Sequence, residues 1–230
     1  MKRMLGGLQS RGNDNPRRRS APRGRRQLRR PAPRRGEPTP RFASPRRMHP
    51  FFTIGHSTRP IEAFVALLQA NEVTRLVDVR SFPRSRTNPQ YNVDALPGWL
   101  APHGIAHEHI AALGGMKKRD PRVAPETNGF WENEGFHAYA DYAMTSPEFA
   151  RGLARLEEIA GRERAAIMCA ESVWWRCHRR IVTDYLLASG RDVFHILESP
   201  VPEPARITPE AEPTPAGRLC YPAAQRGLDV

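Results

Sequence analysis

From residue 48 onward the chain alternates short apolar runs with stretches of helical periodicity, and no other feature constrains its fold as strongly. Phe51-Phe52-Thr53-Ile54-Gly55 is an apolar run closed by glycine. Pro60 then opens a stretch in which Ile61, Phe64, Leu67 and Leu68 share one helical face. Arg75-Leu76-Val77-Asp78-Val79 reads as the clearest strand and stops at Ser81-Phe82-Pro83, where proline ends pairing. A short helix around Trp99, a third strand at His107 to Ile110 and a turn at Leu113-Gly114-Gly115 come next. Residues 116–135 are polar and broken by Gly and Pro, as in a long loop, and loops of that length in compact domains are commonly functional lids. Helices over 136–144 and from Ser146 to about Ala160, a strand at Ala165 to Cys169, a helix from Cys177 to Ser189 and a strand at Val193 to Leu197 complete the series. Strands alternating with helices imply right-handed crossovers. The expected fold is therefore α/β: a small doubly wound, mainly parallel sheet of about five strands with flanking helices.

Charge divides the chain into unlike parts. Residues 1–47 carry Lys2 and fifteen arginines against Asp14 and Glu37, a net +14, whereas the remainder sums to −2. The first 47 residues have one aromatic, Phe42, and repeated Pro-Arg clusters, too little apolar surface to offset the entropy of ordering. They read as a disordered tail able to bind phosphate backbones without sequence selectivity. Met48, directly before the first strand, is an alternative translation start that would leave the tail out. Residues 48–197 read as the α/β domain. Residues 198–230 read as a Pro-rich segment in which only Leu219-Cys220-Tyr221 suggests a return to the sheet.

No stretch approaches the roughly 18 apolar residues of a membrane helix, and Met4 to Leu8 is too short for a signal-peptide core. Three cysteines, an odd number, argue against a disulfide framework and fit a reducing, cytoplasmic setting. Nothing in the sequence indicates the oligomeric state.

In a doubly wound sheet, ligands bind outside the carboxyl ends of the strands. Those ends here carry Gly55-His56-Ser57, Asp78-Val79-Arg80, Leu113-Gly114-Gly115 and Cys169-Ala170-Glu171, so the polar residues collect where a crevice is expected. Cys177, at the start of a helix and between Arg176 and Arg179, is a candidate thiolate. Glu171 is a candidate proton acceptor, with His178 or His56 as acid–base partners. Competing readings are structural. Cys169 suits a buried wall of the pocket, Glu171 could pair with Arg179, and Asp78 could pair with Arg80 instead of orienting a histidine. Arg80, Arg176 and Arg179 could hold an anion. Ser57 or Thr58 could cap the following helix, and Gly114 and Gly115 could admit a ligand close to the backbone. Of Trp174 and Trp175, at most one should face a ligand. Cys169, Cys177, His178 and His56 supply thiolate and imidazole for zinc, but no Cys-x-x-Cys pair is present and adjacent residues rarely ligate one ion, so no metal is expected.

These motifs resemble the bacterial and archaeal domain-of-unknown-function family 488. The resemblance rests on Thr53-Ile54-Gly55-His56-Ser57, Leu76-Val77-Asp78-Val79-Arg80 with Pro83-Arg84-Ser85, Leu113-Gly114-Gly115, and Met168-Cys169-Ala170-Glu171 followed by Cys177-His178-Arg179. It covers about Phe51 to Leu197 and implies a small α/β fold with no established activity; a DNA-repair label attached to some members is a weak hint. A remoter similarity is to the rhodanese and cysteine-phosphatase layout, in which a loop after a strand-end cysteine cradles an oxyanion. Glu171 in that loop would repel an anion, so this likeness supports the topology more than sulfur-transfer chemistry. The function expected is an enzyme acting on a small anionic substrate, a nucleotide or nucleic acid among them. The alternatives are a non-catalytic nucleic-acid-binding module using the basic tail, or a structural partner protein.

Overall fold

The computed structural model describes residues 49–223. The Arg/Pro-rich tail and the alternative start at Met48 lie outside the described residues. The central sheet has six strands in the order β3-β2-β4-β1-β5-β6. These are β1 (Phe51–Gly55), β2 (Arg75–Asp78), β3 (Ala106–His109), β4 (Ala165–Cys169), β5 (Val193–Ile196) and β6 (Glu203–Pro204). The first five are parallel, and β6 runs antiparallel along the outer side of β5. The α/β fold expected from the alternation of elements is therefore the fold observed, with β6 added from the proline-rich segment.

Strand side chains alternate between two cores. Phe52, Ile54, Leu76, Ala166 and Met168 pack on one face, beneath α1 (Ile61–Ala70) and α2 (Leu96–Leu100). Phe51, Val77, Ile167 and Val193 pack on the other, beneath α3 (Glu134–Thr145), α4 (Pro147–Ala160) and α5 (Arg179–Ala188). Each fully buried aromatic or aliphatic side chain contributes about 1.5–3 kcal/mol. Local chemistry sets the helix starts: Asn133 accepts from the Gly135 and Phe136 amides, and Ser146 from those of Glu148 and Phe149. Each cap is worth about 1 kcal/mol.

Several local expectations are corrected. Neither Ser57 nor Thr58 caps α1, whose N-cap is Pro60 with no side-chain cap bond. The Cys177 backbone is extended, and α5 begins only at Arg179, because a 3₁₀ turn at Trp174–Arg176 intervenes. Leu219–Cys220 (β8) does not return to the main sheet but pairs antiparallel with Glu212–Pro213 (β7) in a separate ribbon. Residues 116–135 are tied down along part of their length: Asn128 is fully buried, donates to Asp141 and accepts from the Tyr221 amide, and Trp131 packs against Tyr221.

The topology places the site. From β2 the chain moves outward to β3, whereas from β4 it moves the opposite way to β5. Chains diverging from neighbouring parallel strands open a crevice at their carboxyl ends.

Candidate functional site

Backbone bonds stitch the strand ends together beneath this crevice. The His56 amide donates to the Cys169 carbonyl (3.0 Å), the Ser57 amide to that of Ala170 (2.9 Å) and the Val79 amide to that of Met168 (2.9 Å). Gly55 makes the packing possible, since a Cβ there would overlap the backbone of Glu171 and Ser172. Ser57 adopts a left-handed backbone (φ 47°), unusual for a residue with a side chain.

Above lies a cavity of about 450 Å³ lined by Cys169, Glu171, Arg176, Cys177, His178 and Arg80. Cys169 and Cys177 reach it from the end of β4 and from the turn before α5, and both are buried. The His178 ring stands beside them, its Nδ1 3.7 Å from Cys177 Sγ and 4.0 Å from Cys169 Sγ. Its Nε2 lies 3.1 Å from the Val79 carbonyl, which can only accept, so Nε2 carries a proton and Nδ1 faces the sulfurs. Gly115 leaves room for the ring, because a Cβ there would strike Nδ1 and Cγ of His178. Gly114 is likewise pressed against Ser81. The close approach expected at this glycine pair is thus between backbone and protein side chains.

Arg179 is 1% exposed. Its Nε donates to Cys177 Sγ at 3.3 Å and its Nη2 to the Glu171 backbone carbonyl; no ion pair with the Glu171 carboxylate forms. Burial pushes the Cys177 thiol up, but the hydrogen bond from Cys169, the Arg179 cation and His178 outweigh it and hold Cys177 well below the ordinary thiol range. Cys169 moves the opposite way, raised by its hydrogen bond to Cys177 and by burial. The two neighbouring thiols are thus pushed in opposite directions.

A second cluster lies on the opposite side of Arg80. The Arg80 guanidinium grips the Asp78 carboxylate (2.6 Å at the shortest), donates to the Tyr91 carbonyl and reaches His56 Nε2 at 3.0 Å. Asp78 is fully buried and contacts Arg80 instead of a histidine. His56 Nδ1 donates to the Ser57 carbonyl and its ring stacks on Tyr91 (4.2 Å), so both ring nitrogens are engaged. Burial above all lowers its pKa to about 4, so the ring is neutral at pH 7. His56 and Ser57 line a neighbouring smaller cavity that shares Arg80 and Phe82 with the first. The structure therefore gathers Cys169, Glu171, Arg176, Cys177 and His178 around one cavity, sets His56 and Ser57 beside it, and keeps Asp78 beneath it. Of the two tryptophans, Trp174 stacks on His195 (4.4 Å), Trp175 is largely exposed, and neither lines the main cavity.

Residues the sequence did not single out complete the rim. Phe82 and Met116 line the cavity while 70% and 73% exposed, and Asn133 and Phe136 close its far side. Phe82 and Met116 directly follow the strand-end motifs, a signal available in the sequence; Asn133 and Phe136 are brought in by tertiary packing alone.

Fold and site together define a doubly wound α/β protein with a Cys/Cys/His centre at its topological switch point. The chain belongs to the family described as "Domain of unknown function DUF488", whose model matches residues 60–186, more than half of the chain. No curated protein and no solved structure gives a significant match. Among the described residues, no helix is long and apolar enough to cross a membrane.

Proposed function

We propose that the chain is a thiol-dependent enzyme with Cys177 as nucleophile, acting on a small anionic substrate that also carries an apolar, ring-sized part. A nucleotide, free or within a nucleic acid, is the substrate class that fits. The observation that carries this reading is the burial of Arg179. A desolvated guanidinium is costly unless matched by negative charge, and among the described residues it forms no carboxylate ion pair, which leaves the Cys177 sulfur as its counter-charge. A thiolate held by a guanidinium and a neighbouring thiol is an activated nucleophile.

The other residues take supporting roles. Cys169 donates its S–H to the thiolate, and His178 and Glu171 carry protons at the cavity wall. Arg176 and the one N–H of Arg80 not committed within the fold offer positive charge to an anion. His56 and Asp78 position Arg80. The exposed Phe82 and Met116 provide an apolar surface on which a ring can stack.

Alkylation rates followed across pH at each cysteine test the reading. The Cys177 midpoint should fall below the ordinary thiol value of about 8.5 and return toward it in Arg179→Met. Midpoints near that value at Cys169, Cys177 and Cys220 alike would remove the nucleophile.

A second reading, a nucleic-acid-binding module, draws on the +14 charge of residues 1–47 and on the cavity lined by Arg84 and Arg86. It expects a steep salt dependence of binding that disappears when residues 1–47 are deleted. Equal affinity with and without that segment would count against it.

A further inference from the structure

The three donors at the crevice also suit a second kind of chemistry. Cys169 Sγ, Cys177 Sγ and His178 Nδ1 all lie within 4.8 Å of one another. In a tetrahedral zinc site, bond lengths of about 2.3 Å to sulfur and about 2.0–2.1 Å to nitrogen put sulfur and nitrogen ligands about 3.5 Å apart. The sulfur–nitrogen separations of 3.7 and 4.0 Å are close to that spacing, so a contraction of a few tenths of an ångström around an ion suffices.

We propose that Cys169, Cys177 and His178 form a binding site for a soft divalent transition metal, zinc foremost, with one coordination position open to the cavity.

Three observations beyond proximity support the site. First, the Nε2–H of His178 is anchored on the Val79 carbonyl, the outer contact that fixes a ligating histidine's tautomer and aims its other nitrogen. Second, Cys177 and His178, adjacent in sequence, do converge. The backbone is extended at Cys177 (φ −128°, ψ 144°) and helical at His178 (φ −54°, ψ −18°), and the bend between them turns both side chains toward one point. The sequence-level objection to adjacent ligands thereby falls. Third, the donor set is selective. Two thiolates and an imidazole favour zinc over magnesium or calcium, and two thiolates cancel the charge of a divalent ion beside the Arg179 cation. The Arg179 Nε–H to Cys177 Sγ contact is of the kind that ligating thiolates accept from their surroundings. Three protein ligands with a fourth position facing a cavity is the arrangement of catalytic, not structural, zinc sites.

The two proposals concern alternative states of one chain: bound metal occupies the Cys177 sulfur that is free to attack when the metal is absent. The test uses the full chain, stripped with a chelator and equilibrated by dialysis against zinc chloride, with bound metal counted by mass spectrometry. One ion per chain is expected. Cobalt(II) should give thiolate-to-metal charge-transfer absorption in the near ultraviolet. Cys169→Ser, Cys177→Ser and His178→Gln should each weaken binding at least about tenfold, while Cys220→Ser keeps one ion. Zinc should also slow iodoacetamide modification of Cys177. No zinc retained by the wild-type chain, a measurement that needs no variant to fold, overturns the site; so does undiminished retention in the folded Cys169→Ser/Cys177→Ser double variant. Alkylation of the metal-free chain across pH tests the thiolate alone, so the two proposals can fail separately.

Discussion

At the scale of single residues, the site depends on groups whose work is to hold other groups. Gly115 has no side chain to offer the cavity it lines, yet the space its missing side chain leaves is where the His178 ring sits. Gly115→Ala should displace that ring, cost about 1–3 kcal/mol as an overpacked contact, and cut both the alkylation rate of Cys177 and zinc retention. Unchanged values in a folded variant would show that His178 matters to neither. Asp78 is the corresponding anchor for Arg80. Removing one partner of a buried pair strands the other's charge, so Asp78→Asn should lower stability by about 3–5 kcal/mol in denaturant unfolding. A loss under 1 kcal/mol would mean that Tyr91 and His56 alone satisfy Arg80.

At the scale of elements, legibility in the sequence followed locality. Strands β1, β2, β4 and β5 and helices α1, α3, α4 and α5 were visible because each carries its own apolar period and punctuation, such as Pro60 before α1 and Gly190 after α5. Helix α5 starts two residues later than Cys177, where its sequence suggests a start, since a 3₁₀ turn has no periodicity to read. The cysteine, histidine and glutamate positions could be grouped from topology alone, whereas the engagement of His56 by Arg80, and of Arg179 by a sulfur, depends on distances that no sequence pattern encodes. The C-terminal segment was the least legible element, because its prolines suppress strand and helix signals alike. Yet Tyr221 is fully buried, packs on Trp131 and donates to Asp184, and Leu219 is buried beside it. Tyr221→Ala should therefore cost about 3–5 kcal/mol. A loss near zero would show that the segment merely rests on the domain.

At the scale of the whole molecule, buried titratable groups set the response to acid. His56 and His195 are each lowered, chiefly by burial, from 6.5 to about 4. As pH falls from 6.5 toward 4 the unfolded chain takes up protons that the fold refuses, so stability drops across that window. Asp184 opposes this. Burial raises it from 3.8 to about 6, so the fold gains relative stability as pH falls through that range. His107 and His137 are lowered in the same direction, first by burial, so four histidines against one carboxyl predict a melting temperature that declines from pH 7 to about pH 4.5, less steeply in His56→Gln/His195→Gln and more steeply in Asp184→Asn. Thermal unfolding scans at several pH values check this, and a melting temperature that rises on acidification would contradict it. The antiparallel strand β6 bears on another property of the molecule, its behaviour in crowded solution. Open sheet edges recruit neighbouring chains, and β6 covers the outer edge of β5 with a two-residue strand whose second residue, Pro204, has no amide hydrogen to offer. At the opposite margin β3 is four residues long and carries Glu108, locked to Arg155. Both margins thus discourage strand-by-strand polymerisation, and a chain lacking Glu203–Pro204 would be the one to form β-rich aggregates.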